Sequence, residues 1–303
     1  GSWRRRLRKR PATVWPAPAA AARPLHTKEQ LGQLAHLLLD PERGGPEAMD
    51  RLIRSLNLPF GPGTCFTTLL VDCLTPLSVL PETAMDELQA RFVAHLTAHG
   101  LSQLYTFRAD RYIIIQLYGD SRPEEPVLES CTRLLADGFS GICHFFIARG
   151  PVVCGADRAC LSGRKAWELL ERSFFYEVDT VLSPHTEPQS PLPLKDMLTE
   201  FSVALSEQQK SKVLEVAGQL YRCAGSGASL MPSQVRDLYY KYLGKLDEYA
   251  LSNHISLWFR DEVNSGSIWD SVMECITLPQ LGRLLEGKIH LYFEQLSQGI
   301  GEN

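Results

Sequence analysis

Between residues 66 and 175 short apolar runs alternate with amphipathic stretches, and that alternation limits what the chain can fold into more than any other feature. Phe66-Thr-Thr-Leu-Leu-Val-Asp72 is too short for a buried helix and reads as a buried strand. Pro81 opens a helix in which Met85, Leu88, Phe92 and Leu96 share a face, and Gly100 closes it. Residues 104–107 and 111–118 read as two strands joined by a tight turn at Ala109-Asp110. Val127, Leu128, Cys131, Leu134 and Leu135 make one face of a further helix, with Gly138 as its stop. Residues 142–148 form another strand and residues 159–175 another helix. The order β-α-β-β-α-β-α requires one sheet with helices packed against it, an α/β sandwich of palm type.

The segments around this core differ in texture. Residues 1–25 combine a basic run with a Pro/Ala-rich stretch that has no core-forming pattern, and read as a linker. Residues 26–63 read as a helical connector, broken by two Pro and two Gly between Ser55 and Gly63. The sandwich is expected over 64–182. Four prolines fall between Ser183 and Pro193, which marks a second linker. Residues 194–303 show only helical periodicity. Leu205, Val213, Val216 and Leu220 form one stripe, and Val235, Leu238, Tyr242, Leu246 and Tyr249 another. Thr277-Leu-Pro-Gln280 has capping-box spacing ahead of Leu281, Leu284, Leu285 and Ile289. The expected fold class is therefore α+β, a sandwich followed by a mainly helical module.

Charge narrows the partners. Six of the 31 Lys/Arg lie within residues 1–10, so the rest of the chain carries 25 of them against 35 Asp/Glu. Phosphate neutralisation supplies most nucleic-acid affinity, and so acidic a body is not expected to bind DNA directly. The basic run Arg4 to Arg10 has three readings: a solvated tail, the cytoplasmic flank of a membrane segment, or a nucleic-acid arm. The eight cysteines form no CxxC and no short Cys/His pairing, which reads as free thiols in a reducing, cytoplasmic setting. Cys154 and Cys160 flank a helix start, where a thiol pKa can be lowered, although an ordinary buried cysteine is the competing reading. His95 and His99 have the i,i+4 spacing of a metal pair but no third ligand nearby, so no metal and no cofactor are expected. GxSxG, HExxH, P-loop and GxGxxG motifs are absent from the sequence.

One constellation carries chemistry. Asp72 ends its strand, and the hairpin 107–112 should lie beside it in the sheet. Two-metal nucleotidyl transfer takes carboxylates from two such places. Strand and hairpin together resemble a GGDEF-type diguanylate cyclase domain, in which the first strand ends in a metal-binding Asp and the turn carries Gly-Gly-Asp/Glu-Glu-Phe. In this chain the hairpin reads Arg108-Ala109-Asp110-Arg111-Tyr112. Asp110 and Tyr112 match in type, both glycines are gone, and the second acid has become Arg111. After Asp72 the usual DxD-x-FK pattern is replaced by Cys73-Leu74-Thr75-Pro76. A cation at position 111 would repel Mg²⁺, so the resemblance implies a kept fold, lost chemistry and no catalytic residues.

A narrower family fits more of the chain. Residues 142–150, then Ser162-Gly-Arg-Lys-Ala166 and Phe174-Phe175, resemble the degenerate GGDEF-like middle region of YesN-type regulators of the AraC/XylS family. That resemblance implies a non-enzymatic, signal-transmitting segment between an input domain (a receiver or a membrane sensor) and a helix-turn-helix DNA-binding module that this sequence does not contain. It also implies a homodimer, because paired half-sites require two-fold symmetry. The expected interface is the tyrosine cluster of the helical module, Tyr239, Tyr240, Tyr242 and Tyr249, with packing inside the module as the competing reading. The alternatives in function are a nucleotide-binding or weakly active cyclase using Asp72 and Asp110, and a scaffold domain.

Overall fold

The computed structural model describes residues 25–40, 45–186, 197–226, 230–258, 260–261, 264–265 and 267–300. The basic run, the Pro/Ala stretch up to Pro24 and most of the second Pro-rich linker lie outside them. The fold is α+β and divides into two units, one reaching Ser173 and adding Val178–Thr186, the other built from Phe174–Glu177 and the residues after Thr186.

The first unit is built around β1 (Cys65–Cys73), buried at every position. Its neighbours explain why. β2 (Ser102–Arg108) and β3 (Tyr112–Gly119) form a hairpin, and β3 pairs antiparallel with one edge of β1. β4 (Phe145–Arg149) and β5 (Val153–Cys154) pair antiparallel with its other edge. β6 (Thr180–Leu182) adds in parallel to β4, which gives the order β2-β3-β1-β4-β6. A middle strand covered on both faces needs apolar residues on both, hence its continuous run.

Side chains alternate across the sheet. Leu69, Val71, Ile113, Ile115, Leu117, Phe145 and Ile147 point into a core with α3 (Glu82–Ala98) and α4 (Glu125–Ser140). On the opposite face lie α1 (Leu25–Leu39) and α5 (Ala159–Glu171), with α2 (Gly45–Ser55) packed on α1. α1 and α2, expected as a connector over 26–63, thus supply a layer of this unit. Gly138, expected to stop α4, lies inside it. A Cβ there would collide with the Leu88 side chain, so this glycine lets α3 and α4 approach closely. β4 starts three residues later than expected, because the Ile142 and Cys143 amides donate to the Phe139 carbonyl at the end of α4 (2.8 and 2.9 Å).

Among its described residues the second unit is helical, apart from a short hairpin of β7 (Arg260–Asp261) and β8 (Asn264–Ser265) that the periodicity did not reveal. Its helices are α6 (Leu198–Ser206), α7 (Lys210–Ser226), α8 (Pro232–Ser252), α9 (Ile268–Glu274) and α10 (Leu278–Ile300). Phe201, Val216, Leu220, Val235, Leu246, Leu281 and Ile289 meet in its core. The capping box opens α10 as expected: the Gln280 amide donates to Thr277 Oγ1 at 3.4 Å and the Thr277 amide to Gln280 Oε1 at 3.3 Å. No helix of the described residues is long and apolar enough to cross a membrane.

Candidate functional site: the Asp72 strand end and the 108–112 hairpin

The structure brings the expected residues together at one end of the sheet. Asp72 is opposite Tyr112 of β3 on one side and Phe146 of β4 on the other. Its carboxylate faces the α5 side and is 6% exposed. Arg111 reaches it from the hairpin and makes a bidentate ion pair, Nε to Oδ1 and Nη2 to Oδ2, the second at 2.8 Å. This fork geometry is the strong form of an arginine–carboxylate contact. The paired carboxylate holds the Arg111 guanidinium above its already high ordinary pKa, so the charge is permanent.

The other hairpin residues are engaged too. Ala109 and Asp110 both lie in the left-handed region, at φ 57° and 50°. The loop thus has a backbone that favours glycine although neither residue is one. Asp110 is turned to structural work. Its Oδ1 accepts from the Ser78 amide at 3.0 Å, its Oδ2 from the Ser78 hydroxyl at 2.7 Å, and its carbonyl from the Leu77 amide at 2.9 Å. The hairpin tip is thereby clamped to the 3-10 turn Leu77–Val79 that follows β1. Around them runs a ladder of rings and cations. Arg111 lies 5.3 Å from the Tyr112 ring, Tyr112 meets Trp167 of α5 edge-on at 5.1 Å, and Arg108 sits 5.2 Å over Trp167.

α5 can lie close to the sheet because its inner face is small. Ala159, Ser162, Gly163 and Ala166 are all buried. The Thr68 amide falls between the β1 residues that pair with β5 and those that pair with β4, and donates to Ser162 Oγ at 2.9 Å. Gly150 passes beneath, where a Cβ would overlap the Ser162 carbonyl. The Ser-x-x-x-Ala spacing is thus the seat of α5 on the sheet.

The divalent cation that a cyclase fold implies does not fit these residues. One carboxylate is neutralised by a guanidinium, and the other is held by Ser78. Among the described residues no group of three or more His, Cys, Asp or Glu is placed to hold a metal ion. His95 and His99 stack at 4.5 Å, but His95 Nε2 is bound to Ser130 Oγ (2.8 Å) and His99 Nδ1 to the His95 carbonyl (2.9 Å). Burial, and then the neighbouring His99, push His95 below its ordinary pKa.

Two expectations are corrected. Tyr239 and Tyr242 are buried within the second unit's own core, Tyr242 against Phe201 at 5.0 Å, so neither lines a surface. Residues 235, 239, 242 and 246 follow the spacing of one buried stripe, which takes in both rings. Tyr249 packs half-buried at its edge, and Tyr240 alone of the four is exposed, edge-on to exposed Trp269 at 5.6 Å. The thiols are not all free either. Cys65 and Cys154, opposite each other on β1 and β5, form a disulfide.

No protein-family model matches the chain, and no curated protein matches it in sequence.

Proposed function

We propose that this chain is a non-catalytic, signal-transmitting segment of a bacterial transcriptional regulator of the YesN type, and that its first unit is a GGDEF-like domain whose cyclase site has been lost. The observation that carries this reading is the Arg111–Asp72 ion pair. A residue that would bind a cation in a cyclase here holds a covalently tethered one, and Mg²⁺ would have to displace a bidentate guanidinium to enter. The site has become a brace between β1 and the hairpin, which suits a part that passes on a change of shape. In the full-length protein an input domain, a receiver or a membrane sensor, would precede this segment. A helix-turn-helix module would follow it, and the segment itself would make no specific DNA contact. The assembly would be a homodimer.

The experiment is a turnover assay. Purified protein incubated with GTP and Mg²⁺ should yield no cyclic dinucleotide above a protein-free blank. Product that disappears in Asp72→Ala overturns the reading in favour of a working cyclase.

A further inference from the structure

We propose that Cys73 and Cys143 form a reversible dithiol–disulfide site, in which Cys143 reacts first with a small-molecule disulfide of the glutathione class and Cys73 resolves the adduct. Neither thiol takes part in the site above, and both lie at its border.

The placement comes from the sheet. Cys73 is the last residue of β1 and stands opposite Phe145, the first residue of β4. Beyond this pair the Leu74 amide donates to the His144 carbonyl at 3.0 Å, so the chain before β4 still runs alongside β1. Cys143 is two residues before Phe145 and therefore diagonal to Cys73 on the same face. Both pack into the core shared with α3 and α4. Each thiol is close enough to the other to shift its titration. Diagonal neighbours lie about 7–8 Å apart, at or just beyond the roughly 7 Å between Cα atoms that a disulfide spans, so closing the bond requires the backbone to move. Residues 141–144 precede the strand, and the Ile142 and Cys143 amides bond to Phe139 and not to the ladder, so this loop can close the remaining gap.

The two thiols are unequal in a useful way. Cys73 is fully buried, whereas Cys143 is half-buried and within reach of solvent. Donation from the Cys73 S–H stabilises a Cys143 thiolate and pulls the Cys143 pKa below the ordinary thiol value, with His144 adding to the effect and burial and Asp179 opposing it. The same contact, with burial, pushes Cys73 up. Cys131 shows the contrast: burial alone lifts it to about 11 and leaves it inert.

The exchange balances as two displacements. The Cys143 thiolate attacks one sulfur of RS–SR, the S–S bond breaks, and RS⁻ leaves and takes up a proton. Cys73 then gives up its proton and attacks the Cys143 sulfur, expelling the second RS⁻. One RS–SR is reduced to two RSH, and the protein dithiol is oxidised to one disulfide.

The test uses the full chain. Timed alkylation at neutral pH should label Cys143 about tenfold faster than the half-buried Cys160 or Cys223. Excess oxidised glutathione, followed by alkylation and peptide mapping, should then give a Cys73–Cys143 cross-linked peptide. Cys73→Ser should stop at a glutathione adduct on Cys143, and Cys143→Ser should leave Cys73 reduced. Equal labelling of Cys143 and Cys160 in the unsubstituted protein overturns the proposal without relying on any variant to fold. So does a Cys73→Ser protein, with its unfolding transition retained, that carries no adduct on Cys143.

Discussion

Replacing Arg111 with Ala removes the guanidinium that neutralises Asp72, and the structure bounds what this costs. Breaking a fully buried ion pair costs about 3–5 kcal/mol, whereas exposed pairs are worth about 0–1 kcal/mol. Here the carboxylate is 6% exposed and the guanidinium 48%, so the pair is buried at one end only. Arg111→Ala also opens a path for water to Asp72, which brings the expected loss to about 2 kcal/mol. Asp72→Asn strands only a half-exposed guanidinium that water can solvate, and should cost about 1 kcal/mol. If the pair is a true brace, the double variant should lose less than the sum of the two, with a coupling energy of about 1.5 kcal/mol. Because the chain has two units, a single global transition would blend them. Hydrogen exchange of β1 and β3 peptides in rising urea reads the first unit alone. A coupling within about 0.3 kcal/mol of zero would refute the argument, since it would mean the two charges are solvated separately despite their geometry.

Three further outcomes follow from single residues. Ala109→Gly should stabilise the first unit by about 0.5–1 kcal/mol, because a left-handed alanine is relieved and only part of the gain is lost to glycine's freedom in the unfolded chain; the same exchange measurement checks it. Gly150→Ala should destabilise that unit by about 3 kcal/mol, since the new methyl meets the Ser162 backbone carbonyl, which cannot swing aside as a side chain can, and the same exchange measurement would show it. Light scattering over a concentration series should find a dimer weakened about tenfold by Tyr240→Ala and unchanged by substitution of half-buried Tyr249; a monomer at high micromolar concentration, or an unchanged dimer constant in Tyr240→Ala, contradicts the assigned face.

The sheet was legible wherever a residue's environment is set by its neighbours in sequence. The run 66–72 announced a buried strand, and the 104–118 hairpin was plain from two apolar stretches with a polar turn between them. The pairing of Arg111 with Asp72 was half legible. A cation was expected to repel Mg²⁺, but the register that hands it to the carboxylate exists only once β1 and β3 align. Other features depend wholly on distant partners. Gly138 carries the usual mark of a helix end, yet Leu88 of a different helix decides its role. Asp110 looked like a ligand or a turn residue, and its clamp on Ser78 spans two loops. Cys65 and Cys154 follow no spacing rule, because their meeting depends on where β5 docks. β7 and β8 are two residues long each and too short to show alternation. Tyr239 was misplaced for a subtler reason: the stripe centred on Leu238 and Tyr242 is displaced by one residue from the one that is buried.

The central position of β1 also sets the order in which this unit can be assembled during synthesis. β1 leaves the ribosome before the other described strands of this unit, and its partners lie far along the chain. Leu69 must wait for Ile115 on one edge and for Arg149 on the other. The β2–β3 hairpin can close by itself on a microsecond scale, and then offers β1 a template. The parallel pair of β4 and β6 closes last, once α5 has been made and seated. Until β3 is made the nine residues of β1, all destined for burial, stand with both edges open, and until β4 is made one edge stays open, so the nascent chain has most need of a chaperone between residues 73 and 149.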